Sequence, residues 1–231
     1  MSKLALVIGQ GEIGNPIFEL LADAYSADDI FFRDIEEPDW HHNFIFLHIC
    51  FPQTVNWNEH IWRYVEKYKP KAVIIHSTVH PETTEKLNKL SPIFFYSPVR
   101  GNIKDGMKWS LKKYTKYLAG PTFTPLPSNE PQIGKKQVIE HLSRVFKVEE
   151  VQDSISLEYA KILDLCWYGL NIAFYQELER ISESHNYEVI RKFIESTPEE
   201  SDGKVPRVVY YGGYIGGHCV IPAFEKILAL H

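Results

Sequence analysis

Residues 4–14 read LALVIGQGEIG, an apolar run that leads directly into a glycine-rich turn. The glycines at positions 9, 11 and 14 have the GxGxxG spacing, and a helix-compatible stretch follows them. In this context the first glycine permits a tight turn, the second lets a pyrophosphate approach the backbone, and the third lets the helix pack close to the strand. The stretch therefore predicts a strand–turn–helix unit of the dinucleotide-binding type.

Further short apolar runs recur through the first half of the chain, at residues 30–32, 44–49, 72–75, 93–96 and 117–119. Helix-compatible stretches lie between most of them, which predicts a mostly parallel sheet covered by helices on both faces. A Pro-rich stretch at 121–137 indicates a loop, and a helix over 138–146 and a strand over 148–151 follow. We therefore expect a Rossmann-type domain over residues 1–150.

The second half is different, because residues 154–184 contain no proline and repeat apolar residues at helical steps. This predicts one long helix with Asp153 or Ser154 as its N-cap. Its apolar residues occupy more than one face, so we expect it to be buried between partners and to form a homodimer. A shorter helix over 187–195, a loop over 196–218 and a helix over 222–230 starting at Pro222 complete an all-α segment, residues 151–231.

Composition excludes several classes of protein. Of the 231 residues, 44% are hydrophobic and 24% are charged, as in ordinary globular proteins. The net charge of −5 disfavours nucleic acid as a partner, and no apolar stretch is long enough to cross a membrane. Three cysteines form neither a disulfide framework nor a metal-binding motif, so we expect a cytoplasmic protein without a metal site.

The predicted cofactor is NAD, held in the glycine turn and at the end of the second apolar run. The five turn positions are Gly9, Gly11, Glu12, Ile13 and Gly14, with the start of the following helix facing the phosphates. Asp34 lies 20 residues after the last glycine, where a carboxylate accepts hydrogen bonds from the ribose of NAD. Glu36 and Glu37 would repel the 2′-phosphate of NADP, whereas Arg33 is a contrary feature.

Four segments carry a more specific signal. Residues 50–54 read CFPQT, residues 76–84 read HSTVHPETT, residues 158–177 read EYAKILDLCWYGLNIAFYQE, and residues 213–222 read GYIGGHCVIP. In order and spacing these segments resemble motifs of the nucleotide-sugar 6-dehydrogenases, the group that acts on UDP-glucose, GDP-mannose and UDP-N-acetylmannosamine. The resemblance covers nearly the whole chain.

The resemblance implies an NAD-binding domain, a dimerising helix and a further domain for the sugar nucleotide. Because the sequence ends soon after Cys219, it implies a truncated form without that last domain. Members of the family oxidise a sugar CH2OH group to a carboxylate with two NAD, and a cysteine traps the intermediate aldehyde. The implied substrate is a small molecule, a sugar nucleotide or a related alcohol.

Three catalytic residues are candidates. Cys219 corresponds to the family nucleophile, although an isolated cysteine is more often a small buried apolar residue. Lys161 would stabilise an oxyanion, or would instead be a surface lysine paired with Glu158. Thr78 would orient a water molecule or the substrate hydroxyl, or would cap the following helix. The resemblance also assigns cofactor contacts to strand-end residues, namely Cys50, Pro52, Ser77 and Thr78.

The chain departs from the family at three positions. Leu165 replaces an asparagine, Val99 replaces a glutamate and Ala223 replaces an aspartate. These changes remove an oxyanion partner and a base, and therefore argue against the full four-electron oxidation. Three functions stay open: an NAD-dependent oxidoreductase acting on a CH–OH group with a changed substrate, a β-hydroxyacid-type dehydrogenase, and a dinucleotide-binding protein that has lost catalysis.

Overall fold

The computed structural model describes residues 2–26, 28–101, 106–121, 133–183, 185–207, 210, 212–215 and 217–229. The chain divides into two compact units, residues 1–159 and residues 160–231. The predicted loop at 121–137 lies largely outside the described residues.

The first unit is built on a five-stranded sheet. Its strands are β1 (Lys3–Ile8), β2 (Ile30–Arg33), β3 (Phe44–Ile49), β4 (Ala72–Ile75) and β5 (Phe94–Tyr96). Their order is β2-β1-β3-β4-β5, and every neighbouring pair is parallel. This confirms the predicted α/β fold. The order reverses at β1, so the reversal point lies at the carboxyl ends of β1 and β3, the place where open α/β sheets bind ligands.

Helices cover both faces of the sheet, because alternate strand residues point to opposite sides. Leu6 and Ile8 pack on one face against the helices that follow β3 and β4, and Ala5 and Val7 pack on the other face. The helices of this unit are α1 (Gly14–Ala24), α2 (Trp57–Tyr68), α3 (Thr83–Leu90), α4 (Met107–Lys113) and α5 (Lys135–Ser143). A parallel pair, β6 (Lys116–Leu118) and β7 (Val148–Glu150), adjoins β5 through a bridge between Tyr96 and Ala119.

The long helix forms as predicted. Helix α6 (Ser154–Ser182) has 29 residues, and the Asp153 carboxylate caps it by accepting from the backbone N–H groups of Ile155 (2.9 Å) and Ser156 (3.1 Å). The division between the two units falls within this helix. Two further helices follow, α7 (Tyr187–Glu200) and α8 (Gly217–Leu228).

Three predicted helices have other boundaries in the structure. Helix α5 runs over Lys135–Ser143 instead of 138–146, so it begins within the predicted loop. Helix α7 continues through Pro198 instead of ending at 195, and α8 begins at Gly217 instead of Pro222. A proline in a helix removes one backbone donor, and in α8 side-chain packing outweighs that loss. Val220 is buried and Ala223 is fully buried in a cluster with residues of α6. None of the helices within the described ranges has the length and apolar character needed to cross a membrane.

Candidate functional site

The glycine turn closes tightly around the ends of β1 and β3. Gly9 has φ +108°, and a Cβ atom there would lie 3.0 Å from backbone atoms of Cys50 and Phe51. A Cβ atom on Gly14 would lie 1.7 Å from the carbonyl oxygen of Gly9, so only glycine fits. A Cβ atom on Gly11 would meet no atom within 4 Å. Two glycines thus serve the fold, and the third leaves an open surface.

The start of α1 completes this surface. Ile13 is the N-cap residue, and no side chain caps the helix there. Glu12 is exposed and Ile13 is half-buried. The first backbone N–H groups of a helix bind anions well. The start of α1 thus presents backbone N–H groups beside the open surface at Gly11.

Two carboxylates after β2 face the glycine turn. Asp34 accepts from the backbone N–H of Gln10 at 3.4 Å and from that of Ile35 at 2.9 Å. Glu37 accepts from the side-chain amide of Gln10 at 3.1 Å and from the backbone N–H of Asp34 at 2.7 Å. Asp34 therefore lies beside the turn, and its contact with a ribose stays a prediction. Gln10, which sequence reasoning missed, links both carboxylates to the turn.

The loops after β3 and β4 are tied together. The Ser77 hydroxyl donates to the carbonyl oxygen of Phe51 at 2.6 Å. Gln53 accepts from the backbone N–H of His80 at 2.7 Å and donates to the Thr83 hydroxyl at 3.3 Å. Gln53 was not among the predicted site residues, although it lies in the quoted CFPQT segment. These contacts fix the edge of the sheet next to the glycine turn.

The remaining predicted residues of this edge differ in exposure. Pro52 is exposed and Thr78 is half-buried. Cys50 packs beside the glycine turn, and burial raises the pKa of its thiol to about 12. The Cys50 thiol therefore stays protonated at neutral pH, which suits a packing role beside the turn rather than a nucleophile.

Glu158, a residue of α6, is fully buried against the start of α3. Its Oε1 accepts from the Thr84 hydroxyl at 2.6 Å and from the Thr84 backbone N–H at 2.8 Å. Burial raises the pKa of Glu158, although these hydrogen bonds oppose the shift. Glu158 thus anchors the start of α6 to the first turn of α3.

A chain of three buried histidines crosses one face of the sheet. His48 Nδ1 lies 2.9 Å from His76 Nε2, and His48 Nε2 lies 2.9 Å from His141 Nε2. At the ends, His76 Nδ1 lies 2.9 Å from the Ser97 carbonyl oxygen, and His141 Nδ1 lies 2.9 Å from the Tyr25 hydroxyl. Because a carbonyl oxygen only accepts, His76 Nδ1 donates to Ser97. If each imidazole is neutral and holds one proton, every N–H of these histidines points toward Ser97.

The electrostatics agree with three neutral rings. Burial, together with nearby positive groups such as Lys116, holds the pKa values of His48 and His76 well below the usual value. Burial, aided by Arg144, lowers the pKa of His141 to about 3. Sequence reasoning missed this chain, because its members are up to 93 residues apart.

Lys161 and Cys219 belong to the second unit. Lys161 is half-buried on α6, and Cys219 is exposed in the first turn of α8. A Cβ atom on Gly169 of α6 would lie 2.6 Å from Val220, the residue after Cys219, so the first turn of α8 packs on α6 near Gly169.

The glycine segment before Cys219 rests on the other end of α6. The amide of Gln176 donates to the carbonyl oxygen of Gly213 at 2.6 Å, and a Cβ atom on Gly212 would lie 2.7 Å from the Glu179 carboxylate. Tyr210 packs among three aromatic rings of α6, those of Trp167, Tyr168 and Tyr175. Gly216 of the predicted GGHC motif lies outside the described residues.

The three residues that depart from the family pattern pack in apolar cores. Val99 is 6% exposed in the core of the sheet domain, and Ala223 is fully buried. Leu165 packs on the same cluster as Ala223. Across the described ranges, no group of three or more His, Cys, Asp or Glu side chains is arranged to hold a metal ion.

Comparisons with known proteins support the fold. No protein-family model matches the chain, and no curated protein matches it. Among solved structures it is similar to the UDP-N-acetyl-mannosamine dehydrogenase Cap5O from S. aureus, with 15% identity and a TM-score of 0.64. The match covers 97% of this chain and 66% of that chain, so this chain spans slightly less than two thirds of the dehydrogenase.

Two further solved structures extend the comparison. The 3-hydroxyisobutyrate dehydrogenase of Mycobacterium tuberculosis is 13% identical, with 98% of this chain and 80% of that chain covered and a TM-score of 0.60. A reductive aminase from Aspergillus terreus, solved with NADPH, is 12% identical, with 88% and 75% covered and a TM-score of 0.54. At these identities the likeness establishes a shared fold, that of Rossmann-type dehydrogenases.

Proposed function

We propose that the chain is an NAD-dependent oxidoreductase that acts on a CH–OH group of a small molecule. The observation that carries this proposal is the glycine turn, with Gly11 open to a ligand at the reversal point of the sheet. A bound NAD supplies the hydride acceptor. The protein's part is to bind the pyrophosphate at the turn and to hold the substrate at the same edge of the sheet.

Charge favours NAD over NADP in this proposal. Asp34 and Glu37 both contact Gln10 of the glycine turn, so two carboxylates stand where a ribose would lie. A 2′-hydroxyl donates to a carboxylate, whereas a 2′-phosphate is repelled by it. Arg33 does not offset this repulsion, since its side chain is only 1% exposed.

The proposed catalytic residues contribute simple chemistry. Thr78, at the end of β4, would hydrogen-bond the substrate hydroxyl. Lys161 would stabilise negative charge on the oxygen of an alcohol that loses its proton. Cys219 would trap an aldehyde if a second oxidation occurs, and it is exposed as a nucleophile requires.

The packing of the changed positions favours a single, two-electron oxidation. The side chains of Val99, Leu165 and Ala223 carry neither a base nor an amide. All three pack in apolar clusters. Without the base, water is not activated for hydrolysis of a thioester. This favours chemistry of the β-hydroxyacid type, in which Lys161 acts and Cys219 is not required.

Cofactor binding tests the proposal directly. We expect calorimetry to detect NAD binding to the full chain, with weaker binding of NADP. Gly11→Val should abolish binding of NAD without unfolding the protein, because a Cβ atom at Gly11 meets no atom of the chain within 4 Å. Val55→Thr, in a fully exposed loop position, is the control that should bind NAD normally. A Gly11→Val protein that binds NAD as well as the wild type would contradict the assignment.

The role of Cys219 separates the two kinds of oxidation. We expect Cys219→Ser to keep the first NADH-forming step when nucleotide sugars and 3-hydroxyacids are offered as substrates. If the serine variant instead stops after an aldehyde that the wild type consumes, the four-electron reaction is retained. A protein that binds NAD but oxidises no alcohol in either class would support the remaining alternative, a dinucleotide-binding protein without catalysis.

A further inference from the structure

Arg33, the last residue of β2, is almost fully buried although its side chain is charged. Its guanidinium donates from Nε to the carbonyl oxygen of Asp34 at 2.8 Å. Nη2 donates to the carbonyl oxygens of Ile35, at 3.0 Å, and of Glu37. Three backbone carbonyls of the following loop therefore point inward at one side chain.

The remaining donors of Arg33 bind two side chains. Nη1 donates to the carboxylate of Asp39 and to the hydroxyl of Tyr68 at 3.0 Å, and Tyr68 in turn donates to Asp39 at 3.0 Å. The guanidinium carbon lies 5.3 Å from the ring centroid of Tyr64. A guanidinium has five N–H groups, and each of them now has an acceptor.

This network determines which groups the loop presents on its outer side. Because the carbonyl oxygens turn inward, the carboxylates of Asp34 and Glu37 are left to face Gln10 of the glycine turn. An arginine whose donors are all engaged is also not available to hold a phosphate. Arg33 thus makes this edge acidic instead of making it basic.

We infer that Arg33 is a positioning residue for cofactor specificity, which builds the acidic loop 34–39 and so selects NAD against NADP. The inference rests on the proposed function, since it concerns the same cofactor site. It reverses the expectation from the sequence, where an arginine next to Asp34 is a feature that favours NADP. Loss of the network would free the loop carbonyls, displace Asp34 and Glu37, and weaken the contact that NAD makes and NADP does not.

The test compares the binding of NAD and NADP to the wild type and to Arg33→Lys by calorimetry, with circular dichroism to check folding. Lysine keeps the charge but has one nitrogen, which cannot reach five acceptors. We expect the affinity for NAD to fall about tenfold or more, and the preference for NAD over NADP to narrow by a similar factor. Arg63→Lys is the matched control, because Arg63 is exposed and lies 4.8 Å from the same Tyr64 ring. It should change both affinities by less than about threefold.

Each other result has a distinct meaning. A selective loss of NADP affinity in Arg33→Lys would make Arg33 a phosphate ligand and overturn the inference. An equal loss for both cofactors would show a structural role only, and would also overturn it. If Arg33→Lys does not fold, Asp39→Asn replaces it, and an unchanged preference there overturns the inference. A wild type that binds neither cofactor would instead refute the proposed function, on which the inference depends.

Discussion

At the scale of single residues, the three glycines of the turn have different physical duties. Gly14 and Gly9 allow a helix and a strand to approach within contact distance, whereas Gly11 faces open space. The common GxGxxG pattern therefore combines two requirements of the fold with one requirement of the ligand. Substitutions can separate them.

We expect Gly14→Ala to destabilise the protein by about 3 kcal/mol, because its methyl group would overlap the carbonyl oxygen of Gly9 at 1.7 Å. Gly11→Ala should stay within about 1 kcal/mol of the wild type, because nothing lies near its methyl group. Urea unfolding of both variants measures the difference. Equal stability of the two variants would contradict the close packing of α1 on β1.

At the scale of elements, the histidine chain joins α1, α5 and two strands of the sheet through hydrogen bonds of one direction. A second proton on His48 would bring an N–H donor against another donor at 2.9 Å. A second proton on His76, whose other nitrogen already donates to Ser97, would require both other rings to reverse their N–H groups. This arrangement of N–H groups therefore requires three neutral rings.

The three hydrogen-bonded histidines predict that the protein loses stability in acid. The folded state keeps the three histidines neutral, whereas the unfolded chain takes up protons below about pH 6.5. The free energy of unfolding should therefore keep its full value above that pH. It should decrease as the pH falls from about 6.5 toward about 3, the pKa of His141. Each histidine contributes up to about 1.4 kcal/mol per pH unit to this slope, and the three together contribute up to about 4 kcal/mol per pH unit.

Urea unfolding between neutral and mildly acidic pH measures this slope. His141→Gln should lower the slope by about one third, since it removes one of three titrating groups. His41→Gln, at an exposed position, is the matched control and should leave the slope unchanged. A slope that is the same in His141→Gln as in the wild type would mean that other groups control acid unfolding.

At the scale of the whole molecule, helix α6 has two apolar faces, as its sequence predicts. One face, with Ile162 and Cys166, is buried against α8. The other face carries four side chains at steps of four, three and four residues that are 51–59% exposed, namely Leu163, Trp167, Leu170 and Phe174. Such spacing forms the seam of packed helix pairs, so the predicted homodimer would bury this face.

We therefore expect the protein to be a dimer in solution and Leu170→Glu to convert it to a monomer, because a buried carboxylate in an apolar seam is costly. Light scattering at micromolar concentration measures the mass. Val55→Glu adds the same charge at a fully exposed position and should leave the dimer intact. A monomeric wild type would refute the prediction.

The sequence by itself determined the elements that depend on local signals. The apolar runs predicted the strands β1 to β5, and the glycine spacing predicted the turn, because strand burial and tight turns leave their marks on adjacent residues. The long helix and its Asp153 cap followed from helical periodicity. The carboxylate of Asp34 also lies beside the glycine turn.

Only the tertiary structure decided the roles of charged and polar side chains. Arg33 looked like a ligand for NADP, but Tyr68, 35 residues away, helps to bury it. From the sequence, Glu158 is a candidate only as the partner of a surface lysine, but it is buried and binds Thr84, 74 residues away. The physical reason is that burying a charge is favourable only where partners meet it, and those partners come from distant parts of the chain that only the folded sheet and its helices bring together.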